Sequence, residues 1–127
     1  MIRTDSQREH YLTHFTNGEH TAASDTTSDK GGGNRGFRPH ELLEAALASC
    51  MNMTLRMYAR KHDIPLAGAS VLVSLNREAP AGPTFMYRAE LHGPLSDAQR
   101  SQLLASLENC PVRATLSKHP RFSAWTE

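Results

Sequence analysis

The sequence predicts an α+β fold with an antiparallel sheet, and three observations support that prediction. Residues 71–76 and 85–92 alternate apolar and polar side chains with the period of two that is typical of half-buried strands. A long segment beginning at Pro39 is instead apolar at helical spacing. The elements also lack the repeated strand–helix–strand order of a parallel sheet, so the strands are expected to pair in an antiparallel manner.

The N-terminal region is predicted to form a β-hairpin over residues 1–23 and a Gly-rich loop over residues 24–38. The hairpin is indicated by Asn17-Gly18, a pair suited to the positive φ angles of a tight turn. Ser, Thr, Asp and a run of three glycines dominate residues 24–38, which cannot bury enough apolar surface to hold a strand or a helix. We expect this loop to be mobile and to be placed where it can act as a lid.

A long helix is predicted from Pro39 to about Lys61. Proline is favoured in the first turn, and Glu41 complements the positive end of the helix dipole. The first half of the segment is apolar on nearly every side apart from Glu44 and Asn52. This pattern is typical of a helix that other elements enclose, so we expect the helix to lie at the centre of the fold.

The C-terminal half is predicted to contain a hairpin, two helices and a last strand. Residues 79–83 are rich in Pro, Ala and Gly and form the hairpin turn. Ser96 opens a capping box for a second helix that ends near Asn109. A short helix over Pro111–Ser117 and a strand over Arg121–Thr126 complete the expected order.

Length and composition predict one domain over residues 1–127 that works in the cytoplasm. The chain has fourteen Lys and Arg residues and thirteen Asp and Glu residues, and these charges are scattered along the sequence, which argues against a nucleic-acid partner. We see neither a signal peptide nor an apolar run long enough for a membrane span, so no membrane partner is expected. No set of His, Cys and carboxylate residues has the spacing of a zinc site, so neither a metal nor a cofactor is expected.

The two cysteines lie in different sequence settings. Cys50 falls in the apolar half of the long helix, where burial disfavours the thiolate unless a cation approaches. Cys110 precedes Pro111 and is placed to cap the short helix, where unpaired N–H groups stabilise a negative sulfur and activate the thiol modestly. The residues alone leave three roles open for the pair: catalysis, redox sensing or core packing.

Two linked motifs add a resemblance to a known family. Residues 39–59, PHELLEAALASCMNMTLRMYA, resemble the cysteine-bearing central helix of OsmC/Ohr-like proteins, and residues 110–116, CPVRATL, resemble the second cysteine motif of that family. The intervening hairpin and helix, and the Gly-rich segment before the first motif, follow the family's order. The resemblance therefore spans the chain from about Gly31 onward.

The resemblance implies an intertwined homodimer with a site at the dimer interface. In peroxidases of this family the helical cysteine attacks a hydroperoxide and becomes a sulfenic acid, which the second cysteine resolves as a disulfide. Carried over, Cys50 is peroxidatic and Cys110 is resolving, the substrate is a small peroxide, and an external dithiol reduces the enzyme. The expected function is thus thiol-dependent reduction of organic hydroperoxides or hydrogen peroxide in an oxidative stress response.

One departure from the family pattern keeps a second function open. Peroxidases of this family usually have Glu directly after the proline that opens the helix, whereas this chain has His40 there and Glu41 one residue later. The activating arginine of the family has two candidates by position, Arg35 and Arg38. The alternative is a stress-associated protein without peroxidase activity that binds an apolar ligand at the dimer interface.

Overall fold

A computed structural model describes residues 1–125, and the chain divides into two compact units, Met1–Leu43 and the remainder from Glu44 onward. Each unit has one antiparallel sheet, so the predicted α+β class is confirmed. Within the described residues, no helix combines the length and apolar character that crossing a membrane requires.

The first unit contains a three-stranded antiparallel sheet, with strands β1 (Arg3–Ser6), β2 (Thr13–Thr16) and β3 (Thr21–Ser24) in sequence order. The predicted hairpin joins β2 to β3, and the carboxamide oxygen of Asn17 fixes its turn by accepting hydrogen bonds from two backbone N–H groups. Strand β1 was not predicted, because its residues are polar and exposed on both faces and give no apolar alternation.

Asp25 organises the loop that follows the sheet. Its carboxylate is buried and accepts hydrogen bonds from the backbone N–H groups of Thr26 at 2.7 Å, Arg35 at 3.0 Å and Gly33 at 3.2 Å. The loop also contains a single 3₁₀ turn over Ser28–Lys30, which the composition did not predict. These bonds give the loop a defined path without an apolar core.

Helix α1 spans Pro39–Lys61, as predicted. It ends where Asp63 adopts a left-handed φ of 52°, two residues before Pro65. After it come the antiparallel strands β4 (Gly68–Asn76) and β5 (Thr84–His92). The predicted hairpin of these two strands is therefore confirmed.

Two further helices follow the β4–β5 hairpin. Helix α2 (Asp97–Ser106) begins with the predicted capping box at Ser96 and continues into a 3₁₀ turn, and helix α3 (Pro111–Ser117) has the predicted bounds. The predicted last strand is wrong for Arg121–Trp125, which forms neither strand nor helix, and Thr126 lies outside the described residues.

The core of the second unit is an apolar stripe of α1 packed against the end of α2. Leu47, Met51, Leu55 and Ala59 recur every fourth residue and are buried together with Leu103, Leu107, Ile64 and Cys110. Full burial of one large apolar side chain contributes about 1.5–3 kcal/mol. This cluster is therefore the main source of stability in the unit.

The opposite side of α1 remains uncovered within one chain. Met53 and Met57 are 49% and 68% exposed, and the outward face of the sheet likewise exposes Leu72 and Met86. The prediction of a helix enclosed on nearly every side is therefore not met by the chain alone. Exposed apolar side chains grouped on one face of an element are typical of faces that another molecule covers.

The two polar residues in the apolar half of α1 bind the free edge of β4. The carboxylate of Glu44 accepts a hydrogen bond from the backbone N–H of Leu75 at 3.0 Å, and the side-chain amide of Asn52 donates to the carbonyl of Ala69 at 2.9 Å. Strand edges leave such backbone groups unpaired, so these bonds fix the helix along the strand.

Candidate functional site

Cys50 lies in the middle of α1, beside the apolar stripe and not within it. The residue is half-buried and packs against the core cluster, whereas the next residue, Met51, is fully buried. The backbone carbonyl of Cys50 accepts a hydrogen bond from the hydroxyl of Thr54 at 2.8 Å. The thiol is therefore held at the border between the core and the surface.

Cys110 occupies the N-cap of α3, as predicted. Its φ of −61° and ψ of 120° are extended, and Pro111 begins the helix. The residue has no exposed surface and belongs to the core cluster. The break between α2 and α3 thus places a cysteine, at a turn, deep in the apolar interior.

The core cluster brings the two thiols near one another, since Cys50 packs against the cluster that contains Cys110. Burial raises the pKa of the Cys110 thiol, and the neighbouring Cys50 thiol raises it further. The backbone N–H groups of Arg113 and Val112 act in the opposite direction. Neither N–H makes a capping hydrogen bond of regular geometry with the sulfur, so burial prevails.

The expectation that the N-cap position activates Cys110 is therefore wrong in its net direction. The position was predicted correctly, and the N–H groups do favour the thiolate. The sequence did not reveal that the sulfur is fully buried. The effect of burial on the pKa of Cys110 outweighs that of the two backbone N–H groups.

A cavity of about 560 Å³ opens one helical turn from each cysteine. Leu47, three residues before Cys50 on α1, and Arg113, three residues after Cys110 on α3, both contribute to its wall. Phe85 and Leu116 make the lining largely apolar. The guanidinium of Arg113 is ion-paired with Glu108 at 3.0 Å, so one partly exposed cation lies in the wall of an apolar space.

Among the other predicted site residues, Arg38 and Glu41 form one pair. The carboxylate of Glu41 accepts a hydrogen bond from the backbone N–H of Arg38 at 3.1 Å and another from its side chain at 2.8 Å. The backbone bond first, and the guanidinium second, lower the pKa of Glu41. This arrangement is a cap for the first turn of α1.

Arg35 and His40 do not join that pair. Arg35 forms an ion pair with Glu9 at 3.3 Å, and both side chains are largely exposed. His40 is the second residue of α1 and is exposed. The two candidate arginines thus belong to two separate ion pairs.

Sequence reasoning missed two features of the fold that bear on the site. The organising role of Asp25 gave no signal beyond an acidic residue at the start of a Gly-rich segment. The edge-binding role of Glu44 and Asn52 had a clear signal, since they are the polar exceptions in an apolar helix segment. In the described part of the chain, no group of three or more His, Cys, Asp or Glu side chains is arranged to hold a metal ion.

The fold and the site define a class of α+β protein with two neighbouring thiols, one on a long helix and one at a later helix break. The family described as OsmC-like protein matches residues 31–124, which is most of the chain and includes both cysteines. This chain belongs to the OsmC-like family. No curated protein matches the sequence.

Several solved structures share the fold. An OsmC-like protein from Mycoplasma pneumoniae superposes with a TM-score of 0.79 at 19% identity, covering 94% of this chain and 87% of that one. A Psychrobacter arcticus protein named for an osmotic stress induced and detoxification response gives a TM-score of 0.74 at 23% identity, with coverages of 94% and 88%. An organic hydroperoxide resistance protein OsmC from Legionella pneumophila gives 0.66 at 22% identity, with coverages of 93% and 88%. At these identities the likeness is one of fold.

Proposed function

We propose that this protein is a thiol-dependent peroxidase that reduces organic hydroperoxides or hydrogen peroxide, with Cys50 as the peroxidatic and Cys110 as the resolving cysteine. The observation that carries the proposal is the placement of both thiols at one core cluster, the half-buried Cys50 packed against it and the fully buried Cys110 within it. The Legionella relative of the same fold is named for organic hydroperoxide resistance, which supports a role connected with peroxide stress.

The first step assigns peroxide attack to Cys50. Its thiolate attacks one oxygen of the O–O bond, the bond breaks, and the other oxygen leaves as an alcohol, or as water from hydrogen peroxide, after taking up a proton. Cys50 becomes a sulfenic acid, oxidised by two electrons. The half-buried position of Cys50 supports this assignment, since Cys110 has no exposed surface for a peroxide to reach.

The second step assigns resolution to Cys110. Its sulfur attacks the sulfur of the Cys50 sulfenic acid, a disulfide forms, and water leaves. The packing of both cysteines at one core cluster supports this step because it places the attacking sulfur near its target. An external dithiol of the cytoplasm then reduces the disulfide and restores both thiols.

The cavity one helical turn from each cysteine fits the organic part of such a substrate. Its wall of Leu47, Phe85 and Leu116 would bury an apolar group. A volume of about 560 Å³ lies in the range of small-molecule sites.

The roles of the N-terminal charged residues form part of the same proposal. Arg38 or Arg35 would supply the cation that favours the Cys50 thiolate and holds the peroxide, and His40 and Glu41 would orient that cation. The lowered pKa of Glu41 keeps its carboxylate ionised at neutral pH, which an arginine partner requires. Conversion of His40 to the Glu that is usual in the family tests whether the substitution limits the rate.

A homodimer completes the proposal. The exposed methionines of α1 and the exposed outer face of the β4–β5 sheet are two apolar patches that a second copy would cover. Sedimentation equilibrium at micromolar concentration should give a mass of twice 14.0 kDa. A chain that stays monomeric there contradicts the homodimer.

A second candidate function is binding of an apolar ligand without peroxidase chemistry. Two observations favour it: the raised pKa of Cys110, which disfavours its nucleophilic form, and the carboxylate partners of both candidate arginines, which compensate their charge. In this case the cavity lined by Leu47 and Phe85 is the functional feature, and the two thiols are core residues.

The deciding experiment adds stoichiometric cumene hydroperoxide or hydrogen peroxide to the reduced protein and follows free thiols and mass. We expect both thiols to disappear together as a Cys50–Cys110 disulfide forms, with a loss of two hydrogens. The Cys110→Ser variant should accumulate a sulfenic acid on Cys50 that dimedone traps, because no neighbouring thiol resolves it.

The Cys50→Ser variant is the matched control and should keep its buried Cys110 reduced under the same conditions. Thiols that stay reduced in the wild-type protein under excess peroxide would remove the peroxidase proposal and leave ligand binding. Reaction of Cys110 in the Cys50→Ser protein at the wild-type rate would reverse the assignment of the two cysteines.

A further inference from the structure

Two polar bonds hold α1 on strand β4, and they differ in kind from the apolar packing beside them. The side-chain amide of Asn52 donates to the carbonyl of Ala69 at 2.9 Å, and the carboxylate of Glu44 accepts a hydrogen bond from the N–H of Leu75 at 3.0 Å. All four residues belong to the second unit. Hydrogen bonds are directional, whereas apolar burial is not. These two bonds can therefore fix a rotation of α1 about its axis that packing leaves less defined.

Cys50 and Asn52 lie on opposite flanks of the buried stripe of α1. The fully buried Met51 separates them in sequence, and a helix turns by about 100° per residue, so their side chains are about 200° apart around the axis. Asn52 faces β4, where it binds Ala69. Cys50 packs from the other flank against the cluster that contains Cys110. A rotation that breaks the Asn52 bond therefore also moves the Cys50 sulfur relative to Cys110.

The geometry of a disulfide makes even a small rotation significant. Side-chain atoms of a helix lie roughly 5 Å from its axis, so a rotation of about 20° moves a thiol sulfur by about 2 Å. A disulfide requires the distance between its two Cβ atoms to fall in a range only about 1 Å wide. Packing holds α1 against the cluster, but methionine adapts its shape, so the contacts of Met51 tolerate such a rotation. Apolar packing alone thus allows a wider range of sulfur positions than a disulfide accepts.

We propose that Asn52 is a positioning residue for the thiol pair. Its hydrogen bond to β4 fixes the rotation of α1 about its axis, and the fixed rotation keeps Cys50 directed at Cys110. This inference rests on the proposed function, in which the Cys50 sulfenic acid must meet the second sulfur before it is oxidised further. Glu44 supports the same role by fixing the preceding turns of α1 against β4. Asn52 acts through the helix and takes no part in making or breaking bonds to sulfur.

The test measures how strongly the folded protein favours its own disulfide, and it requires no peroxide. The full-length protein is equilibrated in buffers of reduced and oxidised glutathione, quenched in acid and alkylated, and the mass of the intact chain is measured. Each disulfide that forms converts one oxidised glutathione into two reduced ones, so the midpoint of the titration gives the effective concentration of one thiol at the other. A loss of stability alone does not change this midpoint while the chain stays folded.

Two substitutions of Asn52 separate the hydrogen bond from the shape of the side chain. Asn52→Leu removes the donor at nearly constant volume, and we expect the effective concentration to fall about fivefold to tenfold, in line with the loss of one hydrogen bond. Asn52→Gln keeps an amide donor on a longer side chain and should recover most of the wild-type value. A fall in Asn52→Gln as large as in Asn52→Leu would show that the hydrogen bond does not position the thiols, and would overturn the inference.

Arg100→Met is the matched control. Arg100 on α2 donates to the carbonyl of Leu91 on β5 at 3.2 Å, so this variant also removes a bond from a helix side chain to a strand carbonyl. We expect its effective concentration to stay within about twofold of the wild-type value, since the site is distant from the α1–β4 contact. Circular dichroism in the same buffers checks that each variant is folded, and Asn52→Ala replaces Asn52→Leu if the latter is not. An equal fall in Arg100→Met would overturn the inference.

Failure of the proposed function has a different signature. Peroxides then leave the wild-type thiols reduced, while glutathione still forms the disulfide and Asn52→Leu still weakens it. Failure of the inference alone gives rapid disulfide formation by peroxide together with equal effective concentrations in the wild-type and Asn52→Leu proteins. A wild-type pair that oxidised glutathione cannot link would also overturn the inference, because the two thiols would then not be directed at each other.

Discussion

The two units of the chain achieve order by different physical means. In residues 1–43 the buried residues are Leu12 and the carboxylate-bearing Asp25, and the loop after β3 is held by backbone N–H groups that converge on that carboxylate. In the second unit a cluster of eight buried residues joins α1 to α2 and α3. The first unit is thus ordered by hydrogen bonds and the second by apolar burial.

The candidate site residues of the two units are positioned by the same two means. Cys50 and Cys110 are positioned by packing, which resists displacement because a close-packed interior has little free volume. Arg35, Arg38, His40 and Glu41 are positioned by exposed ion pairs and by a helix cap. Exposed ion pairs contribute only about 0–1 kcal/mol, so they can exchange partners at little cost.

The largest effect is expected from a cavity in the second unit. Leu103 is fully buried, so Leu103→Ala should lower the free energy of unfolding by about 2–5 kcal/mol. Leu104, the adjacent residue of α2, is 45% exposed, and Leu104→Ala should cost much less. Urea denaturation followed by circular dichroism measures both. Equal losses in the two variants would show that this cluster does not dominate stability.

The sequence predicted the apolar unit more completely than the polar one. The bounds of α1 and α3 and the capping box of α2 follow from Pro39, Pro111 and Ser96, because proline and cap residues act locally. The predicted hairpins likewise follow from turn residues and alternation. Strand β1 and the Asp25 loop depend on contacts between residues distant in sequence, for which neither periodicity nor composition gives a signal.

The candidate site was predictable only in part for the same reason. The two cysteine motifs indicated which thiols to consider, but their proximity at one core cluster and the full burial of Cys110 are results of tertiary packing. The expectation that Cys110 is activated was wrong because the sequence indicates its N-cap position but not the burial of its sulfur. The pairing of Arg38 with Glu41 was within reach of sequence reasoning, since an acidic residue in the third position of a helix commonly binds the cap backbone.

An intermediate effect is expected from a glycine in the polar unit. A Cβ at Gly32 would overlap the backbone carbonyl of Thr26, whereas a Cβ at Gly33 would make only ordinary contacts, at 3.5 Å or more, with Asp25 and Arg35. Gly32→Ala should therefore lower the free energy of unfolding by about 1–3 kcal/mol, because the loop is displaced, whereas Gly33→Ala should leave it nearly unchanged. Hydrogen exchange of the amides in residues 25–37 measures the loss where it occurs. Similar exchange in both variants would mean that the loop adapts freely.

The smallest effect, and the one most specific to the polar unit, is a pH dependence that originates at Asp25. The backbone N–H of Arg35 first, and that of Thr26 second, lower the pKa of this carboxyl in the folded state. A lowered folded pKa means that the stabilisation is present above the unfolded pKa of about 3.9 and is lost as the pH falls through the folded pKa. Asp25→Asn should therefore reduce protection of the Gly33 and Arg35 amides at pH 7, and the difference from the wild-type protein should shrink in acid.

The matched control for this pH dependence is Asp63→Asn, at an exposed carboxyl group beyond the end of α1. It should leave the amides of residues 25–37 unchanged at both pH values. If Asp25→Asn gave the same loss of protection at pH 7 and in acid, the carboxylate charge would have no part in holding the loop, and shape alone would account for it. The contrast between a hydrogen-bonded unit and an apolar unit would then need another physical basis, because this carboxylate is the one buried charged group in residues 1–43.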